Sequence, residues 1–242
     1  YASLGTDSII GGNGTDTLNL TSSGTLTSTD VTNVSGVENL NFSSGDDTFS
    51  FTDKADYDPT ISKFSTIING GSGTDSISFS SAVTEDLDFS KLSSFETLSF
   101  GSGNDGITFG SDEFTSGLRT LNLGDGTNTA NLDANTTSTV QVNGGTGTDT
   151  FNLDFSRLSE GDYSINGGTG TDTLKLSGST GANAISEDTN FTTNSTITNV
   201  ERLDITSLNL NTSDGNTEFD FTGFFNSITN DTGKLTLSLS NS

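Results

Sequence analysis

The chain contains no cysteine, histidine, methionine or tryptophan. The absence of cysteine excludes a disulfide framework and a thiolate zinc site, and it is compatible with a location outside a bacterial cell. The absence of histidine removes the commonest general base and the commonest transition-metal ligand. The oxygen ligands that remain, from carboxylates, hydroxyls, side-chain amides and backbone carbonyls, suit calcium and magnesium.

Positive charge and apolar residues are also scarce. The chain has 8 Lys and Arg against 32 Asp and Glu, for a formal net charge of −24, and only 28% of its residues are hydrophobic. So few basic residues exclude the cationic surface that binding to nucleic acid requires, and no apolar run reaches the roughly 18 residues of a membrane span. Low hydrophobicity with high net charge is typical of disordered chains. A folded state therefore requires something that neutralises the charge.

What is present is a repeat. Four segments, such as INGGTGTDTLKL, share the pattern Gly-Gly-x-Gly-x-Asp followed by alternating apolar residues. The glycine-rich turns of these segments end at Asp16, Asp75, Asp149 and Asp172, and looser copies end at Asp47, Asp105, Asn128 and Thr217. Asp7 precedes Asp16 by nine residues, which makes one tandem pair. Turns that recur every 21 to 45 residues predict a repeat architecture.

Each unit has an alternating apolar run before the turn and another after it. In TVQVNGGTGTDTFNL, Val140 and Val142 precede the turn, and Phe151 and Leu153 follow it. A period of two predicts strands with one buried face, and only stacked units bury such faces. The sequence therefore predicts an all-β protein, a right-handed parallel β-solenoid (β-roll or β-helix) with about eight rungs of roughly 20 to 30 residues. We expect one domain over residues 1–242, a fragment of a longer surface protein, with the 17 Phe in its core.

The turns suggest why the aspartates recur. Glycine accepts positive φ and allows close approach of backbones, and stacked aspartates about 4.8 Å apart repel each other unless a cation lies between them. Calcium takes six to eight oxygen ligands, whereas magnesium demands strict octahedral geometry and keeps its waters. The turns therefore predict calcium between rungs.

The repeated segments resemble the calcium-binding nonapeptide Gly-Gly-x-Gly-x-Asp of repeats-in-toxin (RTX) proteins, which form parallel β-rolls. The resemblance implies that each ion is bound by the Asp carboxylate and by the carbonyls of the first glycine and the third residue. These are Asp16 with Gly11 and Asn13, Asp75 with Gly70 and Ser72, Asp149 with Gly144 and Thr146, and Asp172 with Gly167 and Thr169. The predicted ligands in the degenerate turns and the tandem copy are Asp7, Asp46, Asp47, Asn104, Asp105 and Asp125.

The chain departs from the RTX pattern because only Asp7 and Asp16 are in tandem. We therefore expect one calcium-binding edge, with an opposite edge of variable loops such as residues 54–64, and weaker sites beside Asn128 and Thr217. The segments GVENLNF, SFETLSF and NVERLDI resemble long repetitive bacterial surface proteins, both S-layer proteins and giant adhesins. Their glutamates, Glu38, Glu96 and Glu201, share one register and are expected to face solvent; the alternative is a ladder that binds a cation on an outer face.

No sequence pattern indicates catalysis. The acidic pairs at residues 46–47, 85–86, 112–113 and 187–188 are the carboxylates that a glycosidase would use, but solvated loop charge or ion ligation explains them better. A nucleophile paired with a histidine base is excluded because histidine is absent. We therefore expect no enzyme activity and no catalytic residue.

The sequence predicts an extracellular structural protein of the bacterial cell surface that requires several calcium ions. The first hypothesis is an S-layer or lattice protein whose partners are copies of itself and cell-surface polysaccharide, with neither nucleic acid nor membrane insertion. The alternatives are a stalk segment of a large secreted RTX adhesin and a non-catalytic calcium module of a secreted enzyme. In each case we expect the chain to fold only when calcium binds, since metal-binding free energy is then folding free energy.

Overall fold

The computed structural model describes residues 7–109, 117–132, 136, 138–154, 157, 162–177, 196–206, 228–229 and 236–240. These residues form short parallel strands in five sheets and a short helix, α1 (Lys54–Ile61). Among the described residues, no helix has both the length and the apolar character that crossing a membrane requires. Thr217 and the acidic residues at 112–113 and 187–188 lie outside the described residues.

The strands of each sheet come from successive coils of the chain. The nine-stranded sheet contains β3 (Thr25–Thr27), β6 (Thr48–Phe51), β8 (Ser76–Phe79), β10 (Thr97–Ser99), β12 (Thr120–Asn122), β15 (Val140–Asn143), β18 (Tyr163–Asn166), β21 (Ile197–Thr198) and β23 (Ile228–Thr229). The six-stranded sheet contains β11 (Gly106–Phe109), β14 (Thr129–Leu132), β17 (Thr150–Asp154), β20 (Thr173–Ser177), β22 (Arg202–Thr206) and β24 (Thr236–Ser240). The four-stranded sheet contains β2 (Thr17–Asn19), β5 (Asn39–Asn41), β7 (Ile67–Asn69) and β9 (Leu92–Ser93).

Two smaller sheets complete the coils. The three-stranded sheet pairs the tips of successive turns and contains β13 (Asp125–Gly126), β16 (Thr146–Gly147) and β19 (Thr169–Gly170). The two-stranded sheet contains β1 (Ile9–Ile10) and β4 (Val34–Ser35). Every pairing between strands is parallel and joins one coil to the next, so the predicted all-β parallel solenoid is confirmed.

The register places like residues above one another. Leu98 pairs with Leu121, and Leu121 pairs with Val142; all three side chains are fully buried. Burying one such side chain contributes about 1.5–3 kcal/mol to stability. Phenylalanines stack along the same core, with 5.6 Å between the ring centroids of Phe51 and Phe79 and 5.3 Å between those of Phe79 and Phe100. These rings occupy the core position that the alternation predicts.

Residues 54–64 differ from the expected variable loop because they begin with helix α1. Asp53 caps the helix, accepting a hydrogen bond from the Asp56 N–H with its side chain at 3.0 Å, as N-cap carboxylates do. Tyr57 anchors the helix: its ring packs edge-on against Phe51, and its hydroxyl donates to the carbonyl oxygen of Asp88 at 2.7 Å. The helix packs on the solenoid through this buried tyrosine.

Candidate metal-binding turns

The motif aspartates lie directly before the strand that follows each turn, and the strand register stacks them in three columns. Column one contains Asp16 and Glu38, column two contains Asp47, Asp75 and Glu96, and column three contains Asp105, Asn128, Asp149, Asp172 and Glu201. They precede strands of the four-stranded, nine-stranded and six-stranded sheets, respectively. The expected single edge is therefore divided among three corners of the coil.

Within a column, each side chain after the first accepts a hydrogen bond from the backbone of the preceding rung. Asp75 Oδ1 accepts from the Asp47 N–H at 2.8 Å, and Asp149 Oδ1 accepts from the Asn128 N–H at 3.0 Å. Asp172 Oδ1 accepts from the Asp149 N–H at 2.8 Å. Carboxylate acceptors make such bonds stronger than neutral ones. The aspartates therefore hold neighbouring rungs in register, a role that the motif alone did not predict.

The last residue of each column is a glutamate. Glu38, Glu96 and Glu201 accept with Oε2 from the N–H groups of Asp16, Asp75 and Asp172, at 2.8, 2.8 and 2.7 Å. Glu201 is 8% exposed, and the other two are half-buried. The expectation that these glutamates face solvent is wrong. Their longer side chains reach the same backbone donors that aspartates bind elsewhere.

Each glutamate follows a turn that is shorter than Gly-Gly-x-Gly-x-Asp. Two residues before the glutamates stand Gly36, Ser94 and Asn199, with φ of 62°, 55° and 52°. A left-handed residue at this position reverses the chain in a short turn. The next motif turn ends nine residues after Glu38 and Glu96, at Asp47 and Asp105, one corner further around the coil. This step explains the two intervals of 31 and 30 residues, from Asp16 to Asp47 and from Asp75 to Asp105.

The second carboxylate oxygen distinguishes two kinds of aspartate. Asp16 Oδ2 accepts from the Gly12 N–H at 2.8 Å, and Asp47 Oδ2 accepts from the Ser43 N–H at 3.0 Å. By contrast, Oδ2 of Asp75, Asp105 and Asp149 is buried and accepts no hydrogen bond from any described residue. Burying an unpaired polar atom costs about 1–3 kcal/mol, and more when the group is charged.

Burial changes the acidity of these unpaired aspartates. Desolvation raises the pKa of Asp75 from 3.8 to about 6, against the lowering effect of the hydrogen bond from the Asp47 backbone, and the nearby Glu96 raises it further. Desolvation also raises the pKa of Asp105 and of Asp149 above the ordinary value. The fold therefore holds these carboxylates where their negative charge is unfavourable.

Asn128 occupies the same column without a charge. Its Oδ1 accepts from the Asp105 N–H at 2.9 Å, as an aspartate does, and its Nδ2 lies 3.5 Å from the carbonyl oxygen of Gly124, to which it makes a long hydrogen bond. The amide therefore provides the acceptor and also directs a donor into the turn. The ladder itself does not require a carboxylate.

The unpaired oxygens of Asp149 and Asp75 lie against the first glycine of their own turn. A Cβ at Gly144 would collide with the carbonyl oxygen of Gly167 and would lie 2.5 Å from Asp149 Oδ2. A Cβ at Gly70 would collide with the carbonyl oxygen of Ser94 and would lie 2.9 Å from Asp75 Oδ2. A carboxylate oxygen and a carbonyl oxygen of the next rung thus converge at each glycine. Two hard oxygens without a donor between them fit the ligand chemistry of calcium.

The predicted third residues lie at the tips of the turns, and Asp7 lies just before β1. Asp7, Asn13, Ser72, Thr146 and Thr169 are exposed, whereas the column aspartates that follow these turns in columns two and three are buried at the base. The tips stack through their own backbone bonds, such as Thr169 N–H to the Gly145 carbonyl oxygen at 2.9 Å. The resemblance implies the carbonyl oxygens of these third residues as ligands, rather than their exposed side chains, and that assignment stays a prediction.

The exposed acids and amide of the degenerate turns form contacts between tips. Asp46 Oδ1 accepts from the Thr74 N–H at 2.8 Å, and Asn104 Oδ1 accepts from the Thr127 N–H at 2.9 Å. Asp125 Oδ1 accepts from the Thr146 hydroxyl at 2.7 Å. Each of these predicted ligands is thus already bonded to the following rung.

Two further findings concern the whole chain. In the part of the chain that the structure describes, no group of three or more acidic side chains is arranged to hold a metal ion. A site built here would rest on one carboxylate and several carbonyls. No protein-family model, curated protein or solved structure matches the chain.

Proposed function

We propose that this chain is a calcium-dependent structural solenoid of a bacterial cell surface, whose Gly-Asp turns bind calcium between rungs and which assembles with copies of itself into a lattice. The proposal joins three features of the molecule. They are a net charge of −24, buried carboxylate oxygens without hydrogen-bond donors from described residues, and a parallel stack that places these oxygens in columns.

The single observation that carries the proposal is the use of aspartate where asparagine is sufficient. Asn128 accepts the same backbone hydrogen bond as Asp75 and Asp149 and makes a further contact with its amide. Asp75 and Asp149 instead bury an unpaired anionic oxygen, which destabilises the metal-free fold. A bound cation turns that destabilising group into a favourable ligand.

The chain's own residues would hold the ion between rungs. Asp149 Oδ2 and the carbonyl oxygen of Gly167 form one such pair, and Asp75 Oδ2 and the carbonyl oxygen of Ser94 form another. Calcium would supply positive charge that compensates the column aspartates. Because these groups come together only in the folded stack, ion binding stabilises the folded state over the unfolded chain.

A calcium titration followed by circular dichroism tests the metal requirement. In chelator we expect a coil-like spectrum, which changes to a β spectrum as calcium approaches about 1 mM, the range of extracellular modules. An unchanged β spectrum in chelator would contradict the proposal.

A pair of variants locates the response. Asp149→Asn should reduce the stabilisation by calcium by about 1–3 kcal/mol, because it keeps the ladder acceptor and removes the unpaired anionic oxygen. Asp86→Asn makes the same chemical change at an exposed position outside the columns and the turn tips, and should leave the calcium response unchanged. Equal calcium responses in the two variants would show that Asp149 is not a ligand of the calcium ion.

Negative-stain microscopy of the calcium-loaded protein tests the assembly. Ordered sheets or filaments support the lattice protein. Elongated single particles that stay separate at high protein concentration would favour the alternative, a spacer segment in a larger secreted adhesin, and would contradict the lattice.

A further inference from the structure

The outer face of the nine-stranded sheet carries no charge over its first seven strands. In each strand from β3 to β18, two side chains alternate with the buried core residues and point away from the core. Because the strands pair in register, these outward-facing side chains form two parallel rows along the solenoid axis, which we call files. One file runs from Thr25 to Ser164 and the other from Thr27 to Asn166. Ser, Thr, Asn or Gln occupies every outward-facing position of both files in these described strands. We call this surface the polar strip.

The polar strip is regular and self-bonded along the solenoid axis. Thr48 and Ser76 share a hydrogen bond between their hydroxyls at 2.8 Å, and Asn143 Nδ2 donates to Asn122 Oδ1 at 2.9 Å. Neighbouring strands of a sheet are about 4.8 Å apart, so both files repeat with that period over a length of roughly 30 Å. Hydroxyls and amides present both donors and acceptors at every step.

The charge of the molecule limits what this surface can approach. Two copies with a net charge of −24 repel each other, and a face without charge allows approach with the least repulsion and the least desolvation. Of the acidic side chains directly before these strands, Asp47, Asp75 and Asp162 are buried and Glu96 is half-buried. Asp30 is half-buried and accepts from the Thr27 hydroxyl, and Arg119 at the margin of the strip is exposed. A second copy also repeats the 4.8 Å period of a parallel sheet, so its donors and acceptors stay in register over the whole length.

We infer that the polar strip is a self-association surface, on which the same strip of a second copy of this chain packs face to face. The inference rests on the proposed lattice function and names one of its contacts. Strands of three to four residues make the strip roughly 10 Å wide, which gives about 300–400 Å² on each copy, below the roughly 800 Å² per partner of a standard interface. The contact is therefore weak for an isolated pair and gains strength where many copies are arrayed.

Crosslinking through introduced cysteines tests the surface, since the chain has no cysteine of its own. Thr120→Cys places a thiol on β12, within the polar strip, and Asn131→Cys places one on the outer face of β14 in the six-stranded sheet. Facing sheets lie about 10 Å apart, so a bis-maleimide of that reach is used rather than direct oxidation. In calcium, we expect Thr120→Cys to give covalent dimers at least about five-fold faster than Asn131→Cys.

A charge change provides the second arm. Ser99→Asp in the Thr120→Cys background puts opposed negative charges on facing strips and should reduce dimer yield to the Asn131→Cys level, with recovery in high salt because salt screens surface charge. Asn131→Asp in the same background adds an equal charge to the other sheet and should leave the yield unchanged. Circular dichroism in calcium confirms that each variant is folded.

The outcomes separate this inference from the proposed function. The Thr120→Cys variant could fold and respond to calcium but crosslink no faster than Asn131→Cys. That result would overturn the self-association surface and leave the proposal of calcium-dependent folding intact. Lattices that persist in the Ser99→Asp variant overturn it as well, and assign assembly to another face. Binding of the wild-type protein to an insoluble neutral polysaccharide, lost in Ser99→Asp without any change in crosslinking, would replace the second copy with a glycan.

Discussion

The rungs of Asn128 and Asp149 are neighbours in column three and differ in one side-chain atom. Both side chains accept a backbone N–H from the preceding rung with Oδ1, at 2.9 and 3.0 Å. The second atom of Asn128 is a donor 3.5 Å from the Gly124 carbonyl oxygen, whereas that of Asp149 is an oxygen that is buried and unpaired among the described residues. The comparison shows that a side-chain hydrogen-bond acceptor is enough to hold neighbouring rungs in register. The negative charge of the aspartate is an additional feature, and burying it has an energetic cost.

The largest effect is expected where the Asp149 turn depends on its first glycine. Gly144→Ala should destabilise the calcium-loaded protein by about 3 kcal/mol, because the new Cβ collides with backbone of the next rung and backbone cannot move aside easily. A Cβ at Gly12 meets nothing within 4 Å. Gly12→Ala is therefore the matched control, and urea denaturation should show little change for it. Similar losses in both variants would refute the close packing at Gly144.

A smaller effect is expected at the end of a column, where the acceptor is a glutamate. Glu96→Ala removes the group that accepts from the Asp75 N–H at 2.8 Å, and should cost about 2 kcal/mol because that donor loses its partner. Glu96→Gln keeps an acceptor oxygen and should recover most of the loss in thermal denaturation. Equal losses for Ala and Gln would show that the charge, rather than the acceptor, closes the column.

The smallest effect is expected from pH in the absence of calcium. The pKa of Asp75 is raised from 3.8 to about 6 in the fold, so the folded state binds a proton that the unfolded state releases between these values. In chelator, the equilibrium between unfolded and folded chain should therefore shift toward the folded state as pH falls from about 7 to 4, by roughly 1–2 kcal/mol for this group.

Asp75→Asn makes the rung of Asp75 resemble the rung of Asn128. The variant isolates the contribution of this one residue to the pH dependence of stability. The variant should show a smaller pH dependence than the wild type when the β signal of the metal-free proteins is compared by circular dichroism at pH 5 and pH 7, in an osmolyte that favours folding. Other carboxylates shift the wild-type curve in the same direction, so only the difference between the two proteins is informative. An identical pH dependence would mean that Asp75 does not carry the raised pKa.

Much of the fold was predictable from the alternation of apolar and polar residues along the chain. Leu98 and Phe100, or Phe151 and Leu153, identify the buried face, and the recurring turns identify parallel stacking, because a short strand–turn–strand unit is stable only against copies of itself. The helix was not predictable in the same way. Only Tyr57 and Ile61 among its residues are apolar and buried, which is too few for a helical period, and the helix is instead fixed by its N-cap and by one buried ring.

The calcium site stays a prediction, and the sequence indicated the burial of its aspartates but not their full arrangement. The motif marks Asp149, but Asp149, Phe151 and Leu153 alternate on the same face of the strand, and this parity already indicates a buried carboxylate. The same parity holds for Glu38, Leu40 and Phe42, and would have placed this glutamate inside. The sequence does not show in which direction Oδ2 of each column aspartate points. That direction depends on the backbone of the turns, which packs against the next rung.

The closing glutamates have a consequence for how such a chain can grow. Within a column, successive members are separated by 21 to 29 residues, and each contacts only its immediate neighbours. A duplication of one such segment inside column three adds a rung and its column aspartate, while Glu201 remains the last described member of that column. Loss of a glutamate turn instead changes the corner at which the next column begins. The length of the solenoid and the number of column aspartates can thus change in evolution without a change in the path of the chain around the solenoid.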